Sequence, residues 1–144
     1  LKESWINRRG LINKDVSQYK NYRVSCSFKF NIYNFPDEFN LNIINEFGWY
    51  KAKNNGDNPN GISRDHMISI KYGFENKIDP MIISHPANCN LILQKENSRK
   101  NKKISLSLPE LLIKINQWEE KYGQLGEMFS LRTANPHTIS NYNL

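Results

Sequence analysis

Three stretches of the chain carry apolar residues at the spacing that is typical of amphipathic helices. The first stretch begins at Asp15 or Ser17, either of which would cap a helix, and continues to Cys26. The second covers residues 39–47 and is followed by Gly48, which stands where a C-terminal cap is expected. The third follows Ser107. The pattern therefore predicts helices in the first third of the chain and again near its end.

A capping box marks the start of the third helix. Ser107 stands at the cap position and Glu110 follows three residues later, so each can satisfy backbone groups at the helix start. The apolar face of this helix is formed by Leu111, Leu112, Ile115 and Trp118. We expect the helix to end at Gly123 and to pack this face over the neighbouring strands. The polar remainder, residues 124–144, is expected to form an extended or disordered tail.

Two short strands are predicted, and one further segment is ambiguous. Residues 62–68 are predicted to form a short strand that leads into a turn, and the apolar residues 89–93 are predicted to form a second one. Residues 27–32 alternate apolar and polar side chains, so a strand competes with a helix there. Residues 51–61 contain almost nothing to bury and predict a loop, and residues 73–80 form a second polar, turn-rich stretch. The elements together predict an α+β fold.

The composition limits the class of protein. The 144 residues suit one domain, and 20 Lys plus Arg against 14 Asp plus Glu give a net charge of +6. Two cysteines, Cys26 and Cys89, are too few for a disulfide framework or a cysteine zinc site, and we expect both to be small buried residues. No apolar run is long enough to cross a bilayer, so no membrane partner and an intracellular location are expected. The chain begins with Leu, so an upstream segment is expected to be missing.

Candidate chemistry concentrates between residues 63 and 103. An adjacent carboxylate and imidazole, Asp65 and His66, stand at the end of a predicted strand. Asn88 follows in a tight turn that begins at His85, and Asn97 comes nine residues later. Taken singly, each asparagine has a plain structural interpretation: Asn88 as a turn residue and Asn97 as a helix cap. His85 precedes a proline and is expected to brace the turn rather than to act in catalysis.

The spacing of these residues resembles the HNH endonuclease family. The resemblance covers residues 45–122 and rests on the following segments: Ser63-Arg64-Asp65-His66, Gly73-Phe74, Ile78-Asp79-Pro80, His85-Pro86-Ala87-Asn88-Cys89 and Asn97 to Lys103. The last motif position holds Asn97 where the family usually has histidine, which makes this an H-N-N version. The resemblance implies a ββα-metal core within residues 51–123, with residues 1–50 as a helical or mixed segment that packs on it.

The resemblance also implies roles for the site residues. It assigns His66 as the general base and Asp65 with Asn97 as ligands of one Mg²⁺ or Mn²⁺ ion. It groups Asn88 with His66 as catalytic, with the Asn88 amide holding the loop and the backbone of His66. Histidine suits proton abstraction near neutral pH, and carboxylate and amide oxygens suit hard divalent cations.

Five cations and one acid occupy residues 95–103, directly beside the expected metal ligand. Such a run favours contact with a phosphate backbone. The phosphate-contacting side chains expected are Arg64, Lys95, Arg99, Lys100, Lys102 and Lys103. The sequence therefore predicts a metal-dependent DNA endonuclease with DNA as its partner, and leaves a homodimer open. The alternatives are a basic nucleic-acid-binding module that does not cut, and a nuclease subunit that needs a partner. Phage, homing and restriction roles are not separated.

Overall fold

The computed structural model describes residues 13–100 and 105–123, and for residues 13–15, 55 and 98–100 it describes the backbone alone. Its helices are α1 (Asn13–Ser25), α2 (Asn42–Phe47), α3 (Ile70–Glu75), α4 (Pro80–Ile83), α5 (Gln94–Lys100) and α6 (Leu108–Tyr122). Its strands are β1 (Ile62–His66) and β2 (Cys89–Leu93), and short 3-10 turns cover Ile32–Asn34, Lys53–Asn55 and Pro86–Asn88. The protein has a mixed α+β fold, as predicted.

The two strands form an antiparallel pair. The register runs from Ile62 opposite Leu93 to His66 opposite Cys89, so both strands are paired over their full length. The prediction of both strands is confirmed, although β1 ends at His66 and not at residue 68. Helix α5 begins directly after β2, so the chain runs strand, connection, strand and helix without a further insertion at that point.

The connection between the strands contains two short helices where the sequence predicted only turns. Ser69 caps α3 by accepting a hydrogen bond from the Tyr72 N–H at 3.0 Å. Asp79 caps α4 by accepting one from the Met81 N–H at 2.8 Å, and Pro80 follows at the first helical position. Serine, aspartate and proline are typical of helix starts as well as of turns. The turn-rich interpretation was wrong because the same residue types open these helices.

The N-terminal segment folds onto the hairpin as irregular chain. Helix α1 is confirmed, and it begins at Asn13, before the predicted caps. The alternative of a strand over residues 27–32 is wrong, because in the described residues the sheet contains only β1 and β2. The alternation there has another cause: Phe30 and Ile32 are buried in the core while their neighbours face solvent. Helix α2 begins at Asn42, later than predicted, and ends before Gly48, whose φ is +70°.

Helix α6 supplies one side of the core. Its cap is confirmed, since the Ser107 hydroxyl accepts a hydrogen bond from the Glu110 N–H at 3.3 Å. The predicted apolar face is buried: Leu111, Leu112, Ile115 and Trp118. This face packs chiefly against the 3-10 turn that leads into β2, so α6 supports the hairpin from its entry. The predicted tail, residues 124–144, lies outside the described residues. No helix in the described part of the chain has the length and apolar character that a membrane crossing requires.

Candidate active site at the end of the hairpin

The two faces of β1 carry different chemistry. Side chains alternate along a strand, and directly paired residues share a face. Arg64 and His66 therefore stand on one face with their partners Leu91 and Cys89, whereas Asp65 stands on the other face with its partner Asn90. Helix α5 is tied to the Asp65 face, because the Asn97 amide nitrogen lies 3.3 Å from the hydroxyl of Ser63. The hairpin thus separates a carboxylate-and-amide side from a cationic side that carries the imidazole.

The carboxylate side carries the two residues that the sequence resemblance implies as metal ligands. Asp65 is only 6% exposed, and Asn97 is half-buried inside α5 rather than at its cap. Both supply hard oxygen atoms, and Mg²⁺ is commonly held by one or two carboxylates while it keeps several waters. The chemistry of these residues therefore fits one hard divalent cation. Among the residues that the structure describes, no three His, Cys, Asp or Glu side chains cluster as a larger metal site.

Contacts with Cys26 and Phe28 hold the ring of His66 in its orientation. Its Nε2 lies 2.8 Å from the Cys26 carbonyl oxygen, and its plane stacks on the Phe28 ring with a centroid distance of 4.0 Å. A carbonyl oxygen can only accept, so Nε2 carries the proton in this hydrogen bond. In a neutral imidazole the lone pair is then on Nδ1. The fold therefore selects the tautomer in which Nδ1 is the basic nitrogen.

An open cleft of about 510 Å³ lies on the His66 face. It is lined by Lys20, Arg23, Val24, Ser27, Phe28, Arg64, His66 and Ile70. Arg64 stands between two aromatic rings, with its guanidinium carbon 5.9 Å from the centroids of Phe28 and Phe30. Its Nη1 donates to the Phe30 carbonyl oxygen at 3.3 Å. The guanidinium group predicted to contact phosphate is therefore held beside the candidate base.

Lys20 and Arg23 are cleft residues that the sequence interpretation did not single out. They lie three positions apart on α1, so they share one face of that helix. The spacing is visible in the sequence, but it carries no sign that this face meets the strand end. That information appears only when the chain after α1 folds back against His66.

Asn88 organises the chain that follows β1. Its side chain is fully buried, and its amide oxygen accepts a hydrogen bond from the Ile68 N–H at 2.8 Å. Its amide nitrogen donates to the carbonyl oxygens of Ile68 and Ile83 at 3.1 and 2.9 Å. The predicted amide contact to the His66 backbone is replaced by these contacts to Ile68 and Ile83, and the Asn88 main-chain carbonyl holds the Met67 N–H at 2.9 Å. Asn88 is therefore a positioning residue in this fold, not a group that touches a substrate.

His85 braces the turn before β2, in agreement with the sequence interpretation. It is fully buried, and its Nδ1 accepts a hydrogen bond from the Ala87 N–H at 3.0 Å. Its Nε2 has no hydrogen-bond partner among the described residues, and the ring meets Trp118 edge to face. Burial lowers the pKa of this imidazole to about 3, because a charged ring would lose its hydration there. His85 is thus a neutral structural histidine at ordinary pH.

Both cysteines are buried thiols, as expected. Burial raises the pKa of Cys26 to about 12 and that of Cys89 to about 12. Neither is close to being a thiolate at neutral pH, and thiolates are the form that binds metals or attacks substrates. The two residues therefore belong to the core.

The structure describes only part of the predicted cationic run. Lys95 is exposed on α5. The backbones of Arg99 and Lys100 continue that helix, but their side chains lie outside the described part. Lys102 and Lys103 fall wholly outside it. The prediction that these residues contact phosphate stays a prediction.

Comparison with known proteins adds no family to this picture. No protein-family model matches the chain, and neither a curated protein nor a solved structure matches it.

Proposed function

We propose that the protein is a metal-dependent DNA endonuclease that hydrolyses phosphodiester bonds with one divalent cation. The observation that carries the proposal is the end of the hairpin, where a buried carboxylate and an oriented imidazole are consecutive in β1. The helix that bears Asn97 follows β2 and contacts the same strand. This strand, strand and helix order agrees with the ββα-metal arrangement that the sequence resemblance implies.

His66 is the general base of the proposed reaction. Its Nδ1 takes a proton from a water molecule, the water oxygen attacks phosphorus, and one P–O ester bond breaks as the leaving oxygen gains a proton. The contact of Nε2 with the Cys26 carbonyl supports this role, because it fixes the tautomer and the direction of the basic nitrogen. The stacked Phe28 ring limits rotation of the imidazole.

Asp65 and Asn97 are the proposed ligands of Mg²⁺ or Mn²⁺. When bound, such an ion supplies charge stabilisation at the scissile phosphate and at the leaving oxygen. Asp65 keeps its carboxylate near-buried and Asn97 is aligned by the helix, so both ligands are supported by regular structure. Asn88 contributes by holding the chain directly after His66.

DNA is the proposed partner, and an intracellular location and a homodimer remain proposals beside it. Arg64 and Lys95 support DNA binding, since one lies beside His66 and the other is exposed on α5. A second candidate, a basic DNA-binding module that does not cut, is favoured by the cationic cleft alone. Cleavage and binding assays separate the two candidates.

The test is nicking of supercoiled plasmid DNA by the full chain with Mg²⁺, with Mn²⁺ and with EDTA. We expect nicking with either metal and none with EDTA. Asp65→Asn keeps the size of the side chain but removes its charge, and we expect it to lower the rate at least about a hundredfold at moderate Mg²⁺. Asn97→Ala should raise the Mg²⁺ concentration needed for half-maximal rate.

Asn90→Ala is the matched control, because Asn90 is an exposed asparagine on the same face as its partner Asp65. Its metal requirement should equal that of the wild type. Metal-independent nicking, or equal metal requirements for Asn97→Ala and Asn90→Ala, would contradict the ligand assignment. Salt-sensitive DNA binding without nicking under any metal would support the binding module instead.

A further inference from the structure

The cleft beside His66 is cationic on two sides. Helix α1 contributes Lys20 and Arg23, and strand β1 contributes Arg64. No acidic residue lines the cleft within the described part of the chain, so its lining carries three formal positive charges. Exposed cations on a helix are ordinarily only solvated. Here they face a third cation across a concave surface, which raises the local attraction for an anion.

Arg64 shows that the cleft is partly pre-organised. Its guanidinium is held by the Phe30 carbonyl and flanked by two aromatic rings, so little side-chain freedom is lost when a further acceptor binds. Phosphate oxygens are acceptors that a guanidinium binds well, often through two nitrogens at once. The Ser27 hydroxyl on the same lining adds a neutral donor. The lining thus has the composition of a phosphate-binding surface.

The position of the cleft indicates which phosphates it would bind. It opens on the His66 face of β1, whereas Asn97 and the exposed Lys95 belong to the helix on the other face. The DNA strand continues on both sides of a phosphate that is attacked at the end of β1. The DNA on one side of this phosphate can pass along α5, and the DNA on the other side has to pass the His66 face of β1. Each strand of a duplex carries one negative charge per about 3.4 Å of its axis, so a cleft of this size faces more than one phosphate.

We propose that the DNA backbone on the His66 side of the scissile phosphate binds in this cleft, with Lys20 and Arg23 of α1 and Arg64 of β1 as its phosphate contacts. Helix α1 is therefore a second DNA-contacting element in addition to α5. The inference rests on the proposed function for the position of the scissile phosphate, but the binding itself requires no cleavage. The two can therefore fail separately.

The experiment measures binding of the full chain to a short fluorescein-labelled duplex by anisotropy, in EDTA and over a series of NaCl concentrations. The test variant is Lys20→Gln with Arg23→Gln. The matched control is Lys51→Gln with Lys53→Gln, which removes two exposed cations from the loop before β1 and so lowers the net charge equally. Glutamine is a good helix former, so α1 should keep its helicity, and circular dichroism checks this.

We expect the α1 variant to bind at least about tenfold more weakly near 0.1 M salt, with the slope of log K against log[salt] reduced by about 1.8 for two lost phosphate contacts. The loop variant should stay within about twofold of the wild type with an unchanged slope. Equal weakening by the two pairs would overturn the inference, because only the net charge would then matter. An α1 variant that binds like the wild type would overturn it directly.

Nicking assays on the same variants separate this inference from the proposed function. With saturating DNA the α1 variant should nick at a rate close to that of the wild type, while the DNA concentration for half-maximal rate rises. If the wild type never nicks DNA but the α1 variant binds DNA more weakly, the nuclease proposal is wrong and the proposed binding cleft is supported. If the wild type nicks DNA with metal but the α1 variant binds DNA as the wild type does, the nuclease proposal is supported and the proposed binding cleft is wrong.

Discussion

Two regions of this protein each hold a histidine beside an asparagine or aspartate, and they use them in opposite ways. In the turn before β2, His85 and Asn88 are fully buried, and their hydrogen bonds go to the backbone of the same turn and its neighbours. At the end of β1, His66 is half-exposed on a cleft, and Asp65 lies on the opposite strand face. The two residues of each pair are close in sequence, so their spacing alone does not show which pair is structural and which is a candidate for catalysis.

The two regions differ in the surroundings of their polar side chains. The Asn88 amide makes three hydrogen bonds to backbone atoms and reaches no surface. His66 is oriented through its Nε2, and its ring lines a cleft that is open to solvent. A polar residue whose bonding capacity is used by the backbone stabilises the fold. A polar residue that is oriented at the wall of an open cleft can meet a substrate.

The largest expected effect comes from the strand end. His66→Ala should lower the metal-dependent nicking rate by about 10²- to 10⁴-fold, which is the usual contribution of a general base. The free energy of unfolding should fall by about 1–2 kcal/mol, since the hydrogen bond to the Cys26 carbonyl and the ring contact with Phe28 are lost. Nicking rates and urea denaturation of the same preparations measure both. If His66→Ala lost as much stability as a variant of a core residue, His66 would be a structural residue like His85 and Asn88, and the comparison of the two regions would be wrong.

The buried turn should respond with stability instead of rate. Asn88→Ala leaves the Ile68 N–H and the carbonyl oxygens of Ile68 and Ile83 without their partner. Each buried group left unsatisfied costs about 1–3 kcal/mol, so we expect a loss of roughly 3 kcal/mol or more. Urea denaturation measures it, with Asn90→Ala as the exposed asparagine control. If Asn88→Ala unfolds like the wild type, the amide is not holding the turn.

The pH dependence of stability should identify the buried histidine. The folded-state pKa of His85 is about 3, below the ordinary value of 6.5, so between these values the unfolded chain binds a proton that the folded chain does not. Its stabilising contribution is complete above pH ~6.5 and declines as the pH falls toward ~3, by up to about 1.4 kcal/mol per pH unit.

His85→Asn is the matching variant, because an asparagine oxygen can also accept the N–H two residues later. Urea midpoints from pH 7 down to pH ~4.5 should fall less steeply for this variant than for the wild type. Equal slopes would mean that His85 does not titrate as a buried neutral group.

Local sequence signals predicted the parts of the fold that depend on neighbours in the chain. The bounds of β2, the Ser107 cap and the buried face of α6 each follow from adjacent residues, and all are confirmed. The alternation at residues 27–32 misled because burial against a distant hairpin produces the same pattern as a strand.

The candidate site was predictable as a set of residues but not as an arrangement. The spacing of Asp65, His66, Asn88 and Asn97 indicated the residues. The orientation of His66 depends on Cys26 and Phe28, about forty positions away in the chain, and the cleft depends on α1. Contacts at that separation arise from tertiary packing, which no local pattern records.

The most direct test of the account is chemical rescue of His66→Ala by imidazole. The cleft that His66 helps to line is open and has a volume of about 510 Å³, so a free imidazole can reach the place of the missing ring. We predict that added imidazole raises the Mg²⁺-dependent nicking rate of His66→Ala at least about tenfold, with a pH profile that follows the free base, and leaves the wild type unchanged. A His66→Ala protein that nicks as fast as the wild type without imidazole would contradict the assignment of His66 as the general base.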